Sequence, residues 1–235
     1  VELSALRSTC GGFNELFDLV DAARARSSSV PLPPILLVGG PGVGKTFVAQ
    51  QLAAALGSGS RMVDMTALQS NAFFCDSEKH WSDATPGLLY DLLVSDTFAN
   101  PTIVVDEVEK VSRNSNHDPL QTLHTLLEPQ TASRLCDLCT DIELDASKVR
   151  WILCANSLKP LPASLLSRVA VISVREPDAR ERLATTHAVV RAVMNSIAPD
   201  FIAISREVVI QLAEHAPRTI RQAMTRAVGR ARAAG

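Results

Sequence analysis

The sequence predicts an α/β protein in which a parallel sheet is sandwiched by helices and followed by a small all-helical domain. Short apolar runs recur along the first 175 or so residues, are separated by helix-length or longer intervals, and cease beyond Pro177. Strands that alternate with helix-length segments are typical of β-α-β units, whose parallel strands are buried on both faces. We therefore expect an N-terminal helix and linker at 1–29, an α/β domain at 30–176 and a helical domain at 177–235.

Each element is predicted from apolar spacing and from the residues that end the run. Apolar positions at helical spacing predict a helix within 1–29 that ends before the serines at 27–29. The apolar run 35–38 predicts a buried strand, and Lys45 to Leu56 a helix that Gly57 ends. Further strands are predicted at Arg61 to Met65, Thr102 to Val105, Val149 to Ala155 and Val169 to Val174, and further helices at about 178–196, 205–215 and 217–232.

Composition restricts the class of protein. The chain has 235 residues, 46% hydrophobic and 20% charged, which is typical of a folded protein that buries its own core. A formal net charge of −2 argues against a protein that coats nucleic acid through overall positive charge. Five cysteines, an odd number, favour reduced thiols, so we expect a cytoplasmic location. No apolar run approaches the roughly 20 residues that cross a bilayer, so no membrane partner is expected.

A glycine-rich loop lies between the first predicted strand and the helix that follows it. Its residues are Gly39-Gly40-Pro41-Gly42-Val43-Gly44-Lys45-Thr46, which satisfy the pattern G-x-x-x-x-G-K-[ST] in the required context. Glycines let the backbone turn so that several N–H groups point inward, and the helix N-terminus adds positive potential. We expect this loop to cradle phosphates, Lys45 to reach the β- and γ-phosphates, and Thr46 to ligate Mg²⁺.

Polar residues also follow two later strands. Asp106 and Glu107 come directly after the run 102–105, and Asn156 follows the run that ends at Ala155. Ligands of open α/β sheets bind at the carboxyl ends of the strands. We expect Asp106 to hold Mg²⁺, Glu107 to act as general base on the attacking water, and Asn156, beside that strand, to contact the water or the γ-phosphate. The alternatives are an acidic strand end in solvent and a turn-forming asparagine.

With these motifs the chain resembles an AAA+ ATPase, specifically the ATPase domain of the Lon family of ATP-dependent proteases. Segments similar to Lon follow one another in order, and the resemblance covers roughly residues 12–225. They are Asp118-Pro119-Leu120 through Leu127-Glu128-Pro129-Gln130, Asp145-Ala146-Ser147-Lys148-Val149, Ala155-Asn156-Ser157-Leu158 and Pro162-Ala163-Ser164-Leu165-Leu166-Ser167-Arg168-Val169. The resemblance implies a P-loop AAA+ fold in which the helical domain is a lid, with ATP and Mg²⁺ as cofactors.

The resemblance also implies a role for each matching residue. It makes Lys45 and Thr46 the Walker A pair, Asp106 and Glu107 the Walker B pair, and Asn156 sensor 1. Arg168 becomes an arginine finger that reaches the ATP of a neighbouring subunit, which requires a homo-oligomeric ring, hexameric in our expectation. Arg218 becomes sensor 2, which couples the lid to the γ-phosphate. Without the family, Arg168 would be read as a surface cation near a helix C-terminus.

The segment His80 to Gly87 matches the pore loop, in which Trp81 would grip a polypeptide that ATP hydrolysis unfolds and translocates through the ring. The alternative is a tryptophan packed against its own domain. Gly11-Gly12-Phe13 lies where family members contact adenine. In the family a Ser-Lys peptidase domain follows the lid, so we expect no peptidase activity from these residues and a peptidase domain in the parent chain or a partner. The opening Val1 likewise predicts a piece of a longer protein.

Three weaker patterns remain open. Cys136 and Cys139 form a lone C-x-x-C, and His117 and His124 are seven residues apart; metal or redox roles for either pair are the less favoured readings. The last helix carries Arg218, Arg221, Arg226, Arg230 and Arg232 without an intervening acid. This helix either contacts nucleic acid or, as we favour, packs against a downstream domain or subunit. Nucleic-acid-remodelling AAA+ ATPases of the clamp-loader or branch-migration type are therefore the alternative function, and a non-hydrolysing scaffold is a third.

Overall fold

The computed structural model describes residues 3–66, 74, 86–95, 98–111, 119–137, 139–197 and 204–234. Its strands are β1 Ile35–Val38, β2 Ser60–Asp64, β3 Thr102–Asp106, β4 Leu135–Asp137, β5 Ile142–Leu144, β6 Arg150–Ala155 and β7 Ala170–Ser173. Five of these form one parallel sheet in the order β2-β3-β6-β1-β7. The other two, β4 and β5, form a separate antiparallel hairpin. The non-sequential order means that connections cross over the sheet, as helices between parallel strands require.

The helices cover both faces of this sheet and then continue beyond it. They are α1 Leu3–Thr9, α2 Asn14–Arg26, α3 Lys45–Leu56, α4 Leu88–Tyr90, α5 Pro119–Leu126, α6 Pro129–Ala132, α7 Ala163–Leu166, α8 Ala179–Ile197, α9 Arg206–Leu212 and α10 Pro217–Ala234. Short 3₁₀ turns lie at Gly11–Phe13 and Val108–Lys110, and a π-helical turn follows α4 at Asp91–Ser95. Among the described residues, no helix combines the length and apolar character needed to cross a bilayer.

The central strands are apolar on both sides because helices pack against both. In β1, Ile35 and Leu37 face a cluster that includes Leu16 of α2 and Leu52 of α3. Leu36, which points the opposite way, belongs to a second cluster built with α5 and the buried Trp151. This alternation explains why the strands read as continuous apolar runs in the sequence.

The last three helices form a third apolar cluster. Val190 and Val193 of α8 pack with Ile220 and Met224 of α10. The first helix of this group starts at a reciprocal cap, because the Glu181 backbone N–H donates to Asp178 Oδ1 at 2.8 Å and the Asp178 N–H donates to Glu181 Oε2 at 2.9 Å. The polypeptide therefore leaves the sheet and enters the helical group at a defined point.

The predicted fold class is confirmed: a parallel sheet between helices is followed by a helical group. Two features of the structure differ from the sequence prediction. The helix predicted within 1–29 is two helices, because the chain turns at Gly11–Phe13, where a β-carbon on Gly12 would lie 3.0 Å from the Arg175 carbonyl oxygen. The hairpin of β4 and β5 was not predicted. The boundaries between 29 and 30 and between 176 and 177 stay predictions.

Candidate functional site

The glycine-rich loop connects the carboxyl end of β1 to the start of α3. Gly42 and Gly44 have φ angles of 82° and 95°, in the left-handed region where a β-carbon would be strained. A β-carbon on Gly39 would lie 2.6 Å from the carbonyl oxygen of Val174. The loop thus needs glycine for both its turn and its close packing, and it presents the N-terminus of α3, an end without a side-chain cap, to the site.

Lys45 is the cation of the site and is only 7% exposed. Its Nζ donates to the carbonyl oxygens of Gly39 at 2.7 Å and Gly40 at 2.9 Å, and to Asn156 Oδ1 at 2.9 Å. These three bonds match the three donors of an ammonium group. Burial lowers the pKa of Lys45, while the negative charge of the carboxylates nearby opposes that change. The arrangement keeps the ammonium oriented at the mouth of the loop.

Thr46 and Asp106 lie side by side although 60 positions separate them. The Thr46 hydroxyl donates to Asp106 Oδ2 at 2.8 Å, and Asp106 Oδ1 accepts the Glu107 backbone N–H at 3.0 Å. A hydroxyl and a carboxylate are suitable ligands for Mg²⁺, which usually takes one or two carboxylates and completes its shell with water and phosphate oxygens. The residues present therefore fit a magnesium ion.

Glu107 has an unusual backbone. Its φ of 54° and ψ of 38° place a non-glycine residue in the left-handed region. Its carboxylate, about one-third exposed, accepts a hydrogen bond from Lys110 Nζ at 2.5 Å. No motif in the sequence points to Lys110. In this conformation the acid is paired with a cation three residues away.

Asn156 directly follows β6, which lies next to β3, the strand that Asp106 ends. Its backbone N–H and its side-chain Nδ2 both donate to Glu109 Oε1, at 2.9 and 2.8 Å. Sequence reasoning missed Glu109. The signal that could have found it is position: it is the second acid after Asp106 in a turn that begins where a buried strand ends.

Arg218 lies at the start of α10 and is exposed. Two residues earlier, the Ala216 β-carbon lies 3.5 Å from where a β-carbon on Gly42 would stand. The structure therefore brings the N-terminus of α10 against the glycine-rich loop. Among the described residues, no hydrogen bond or ion pair joins the Arg218 guanidinium to the loop, and its role stays a prediction.

Arg168 lies at the opposite end of the sheet from the glycine-rich loop. It precedes β7, and the register pairs Ile35 with Ala170, so Arg168 lies at the amino end of the sheet while the loop lies at the carboxyl end. Its guanidinium donates to the Ser164 carbonyl oxygen at 2.7 Å and forms an ion pair with Glu128 at 3.4 Å. The structure does not bring Arg168 to the loop of its own chain.

The remaining sequence predictions have mixed outcomes. Trp81 and His117 lie outside the described residues. Cys136 is exposed on β4, Cys139 follows it in the hairpin, and His124 lies on α5. Among the residues that the structure describes, no group of three or more His, Cys, Asp or Glu side chains is placed to hold a metal ion.

Comparison with known proteins agrees with this geometry. Residues 35–176, more than half of the chain, match the family model described as "ATPase family associated with various cellular activities (AAA)". The chain is 28% identical over 180 residues to a peroxisomal Lon protease homolog 2 of Spinacia oleracea. The aligned residues make up 75% of this chain and 20% of that protein.

Two further relatives show the same pattern. A mitochondrial Lon protease homolog of Ostreococcus lucimarinus is 34% identical over 138 residues, 59% of this chain and 15% of that protein. The Lon protease of Acinetobacter baumannii is 29% identical over 200 residues, 84% of this chain and 25% of that protein. The chain thus spans a quarter or less of the length of these relatives. With its phosphate-loop geometry and the family match together, the chain belongs to the AAA family of ATPases, and its AAA region resembles that of Lon proteases.

Proposed function

We propose that this chain hydrolyses ATP in the presence of Mg²⁺, as the ATPase module of a Lon-like ring that unfolds and translocates polypeptides. The observation that carries the proposal is the meeting of three chain segments at one edge of the sheet. There the Lys45 ammonium contacts Asn156, and the Thr46 hydroxyl contacts Asp106. A cation, an amide, a hydroxyl and acids within hydrogen-bond distance form the set that phosphoryl transfer to water requires.

Binding in this proposal begins with groups that are already oriented. The backbone N–H groups of the loop and the start of α3 receive the phosphates. Lys45 exchanges its bonds to the Gly39 and Gly40 carbonyls for bonds to phosphate oxygens. Thr46 and Asp106 hold the metal, and Mg²⁺, when bound, supplies positive charge that stabilises the phosphate oxygens.

Hydrolysis then depends on residues that act on the water and on the developing charge. Glu107 takes the proton from the attacking water, and in the described structure one oxygen of its carboxylate, Oε1, is paired with Lys110. Asn156 orients the water or the γ-phosphate. Arg168 of a neighbouring chain and Arg218 of the lid offset charge on the phosphates.

The larger assembly belongs to the same proposal. We infer a homo-oligomeric ring, hexameric, in which Trp81 contacts a polypeptide substrate, with a peptidase domain in the parent chain or in a partner. The support is the similarity to proteins named as Lon proteases. The cytoplasmic location also stays a prediction, since two of these relatives are named as peroxisomal and mitochondrial.

Calorimetric titration of the chain with ATP in magnesium tests the proposal. We expect binding by the wild-type chain and its loss in Lys45→Ala, because the buried ammonium faces the phosphate site. Glu107→Gln should bind ATP within a few-fold of wild type and lose hydrolysis by roughly 100-fold or more, since only the base is removed. Lys148→Ala, which changes an exposed lysine away from the site, is the matched control. A folded wild-type chain that takes up no nucleotide would refute the proposal.

Because the arginines of α10 are exposed, the remodelling of nucleic acid is the second candidate function. Phosphate contacts made by arginine weaken steeply with salt. Turnover that duplex DNA stimulates, and that added salt suppresses, would favour nucleic-acid remodelling. Turnover stimulated by an unfolded polypeptide and unchanged by DNA would favour the first function.

A further inference from the structure

Glu109 occupies a position that the proposed chemistry does not itself require. It lies in the 3₁₀ turn Val108–Lys110, directly after β3, and the turn is anchored by the fully buried Val108. From this turn one carboxylate oxygen, Oε1, accepts two hydrogen bonds from a single residue, Asn156. The paired bonds hold the backbone and the side chain of Asn156 at once, so the amide has one orientation.

The chemistry of the neighbours determines which way the Asn156 amide points. An ammonium can only donate hydrogen bonds and an ionised carboxylate can only accept them. Lys45 must therefore face Oδ1 and Glu109 must face Nδ2, as the distances of 2.9 and 2.8 Å show. Rotation of the amide by 180° would place donor against donor and acceptor against acceptor.

The second oxygen of the same carboxylate has no apparent structural purpose. Glu109 Oε2 is buried and has no hydrogen-bond partner among the described residues. An unsatisfied buried carboxylate oxygen is costly, and such a group in a native fold calls for an explanation. A neutral or apolar residue would fill the space without that cost, and the hydrogen bonds that this anion makes in the described structure are those of its other oxygen, Oε1.

We propose that Glu109 is a positioning residue for γ-phosphate recognition: its carboxylate fixes the Asn156 amide so that the amide's Oδ1 and second N–H face the cleft beside Lys45. This inference rests on the proposed function, because it assigns Asn156 to the γ-phosphate. Among the described residues, Glu109 forms no hydrogen bond or ion pair with Lys45, and its bonds at the site go to Asn156. The two acids before it, Asp106 and Glu107, act directly.

The ratio of the chain's affinities for a triphosphate and a diphosphate nucleotide measures this role, and the measurement does not require hydrolysis. The probes are Mg²⁺ with ADP and Mg²⁺ with the non-hydrolysable β,γ-imido analogue of ATP, titrated by calorimetry. We expect the wild-type chain to prefer the triphosphate analogue and Glu109→Ala to reduce that preference roughly 10-fold, the lower end of the effect seen when a partner that orients a metal ligand is removed. Glu143→Ala, at an exposed glutamate on β5, should leave the preference unchanged.

Two further variants separate positioning from a general effect on folding. Glu109→Gln keeps an oxygen that can accept both bonds, so the preference should stay within about threefold of wild type. Asn156→Ala should lose as much as Glu109→Ala, and the double variant should lose no more than either, because both act through one amide. Losses that multiply in the double variant, or a glutamine variant as impaired as the alanine variant, would overturn the inference.

A nucleotide-free measurement tests the geometry directly. In ¹H–¹⁵N spectra, one Nδ2 proton of Asn156 should be shifted downfield and exchange slowly with water, in the wild-type chain and in Glu109→Gln. This signature should be lost in Glu109→Ala. A wild-type chain that binds both nucleotides equally would overturn the role of Glu109 and leave nucleotide binding standing, whereas a chain that binds neither would refute the proposed function itself.

Discussion

Glu107 illustrates how a single residue combines backbone strain with a proposed chemical role. Its φ of 54° is a conformation that costs a residue with a β-carbon about 1–2 kcal/mol. Local bonds hold it there: its N–H donates to Asp106 Oδ1 and its carbonyl oxygen accepts the Lys110 N–H at 2.8 Å. The strained turn places the carboxylate beside the end of β3, where the proposed reaction needs it.

This strain predicts an inverted preference between alanine and glycine at position 107. Glu107→Gly should be about 1 kcal/mol more stable than Glu107→Ala, because glycine adopts positive φ without a steric penalty. Both variants lose the proposed base, so the comparison isolates the backbone. Urea unfolding gives the two free energies of unfolding.

The same pair of substitutions at Gln222, an exposed position within α10, is the control for position 107. There alanine should be the more stable by about 1 kcal/mol, as in any helix interior. If alanine were favoured at both positions, the strained backbone of Glu107 would be refuted.

Among residues, those with a motif could be predicted and those without one could not. Lys45, Thr46 and Asp106 were predicted because their spacing follows from a loop that wraps phosphates and from strands that end at one edge. Glu109 and Lys110 belong to a single short turn, where charged residues are common and carry no periodic pattern. Only the register of β3 against β6 brings Glu109 to Asn156.

Among elements, the sequence predicted those that packing makes apolar. The central strands of the large sheet, β1, β3 and β6, are buried on both faces, so their runs are continuous. The hairpin escapes detection because each strand has three residues, too few to display a period of two. Leu135 and Leu144 pack into the core, and buried Asp137 accepts the Gly87 N–H at 3.0 Å. A hydrogen bond between residues 50 positions apart cannot be predicted from the local sequence.

The amphipathic helix α10 offers a prediction about stability. Ile220, Met224 and Val228 form its buried stripe, and the exposed Gly229 follows directly. A β-carbon there would meet no atom within 4 Å, and the residue lies within α10, where the helical backbone suits any residue with a β-carbon. Gly229→Ala should therefore raise the free energy of unfolding by about 0.5–1 kcal/mol, through reduced freedom of the unfolded chain.

Gly57 is the matched control for Gly229. A β-carbon at Gly57 would also lie in open space, but the residue ends α3 with a φ of 70°. Gly57→Ala should lower stability by about 1 kcal/mol, because the left-handed conformation strains alanine. Thermal unfolding of both variants measures the difference, and a gain of stability at both positions would show that backbone angle does not decide the sign.

At the scale of the whole molecule, the shared direction of the parallel strands places the glycine-rich loop and Arg168 at opposite ends of the sheet, although the proposed reaction requires both. The loop follows the carboxyl end of β1, and Arg168 precedes the amino end of the parallel β7. A four-residue strand spans about 13 Å, so the length of one strand keeps the loop and Arg168 at opposite ends of the sheet. Within the chain, Arg168 is engaged by Ser164 and Glu128. A contribution of Arg168 to ATP hydrolysis must come from a second copy.

This separation predicts complementation between two inactive chains. Arg168→Ala keeps its own loop and base, and Glu107→Gln keeps its arginine. Each alone should lose hydrolysis, by roughly 10³-fold or more for a missing arginine finger. Mixed in equal amounts in randomly assembled rings, about one quarter of the junctions between subunits pair an intact base with an intact arginine, so phosphate release should recover to about a quarter of the wild-type rate.

Two controls decide whether the recovery comes from the arginine. A mixture of Arg168→Ala with the double variant Glu107→Gln, Arg168→Ala should stay inactive, because no chain in it supplies the cation. Glu128→Ala, which removes the ion pair of 3.4 Å and leaves the guanidinium, should stay active and so separates a structural role of Arg168 from action in a neighbouring site. Wild-type turnover by Arg168→Ala alone, or a mixture no more active than its parts, would refute action between subunits while leaving the nucleotide site of the single chain as described.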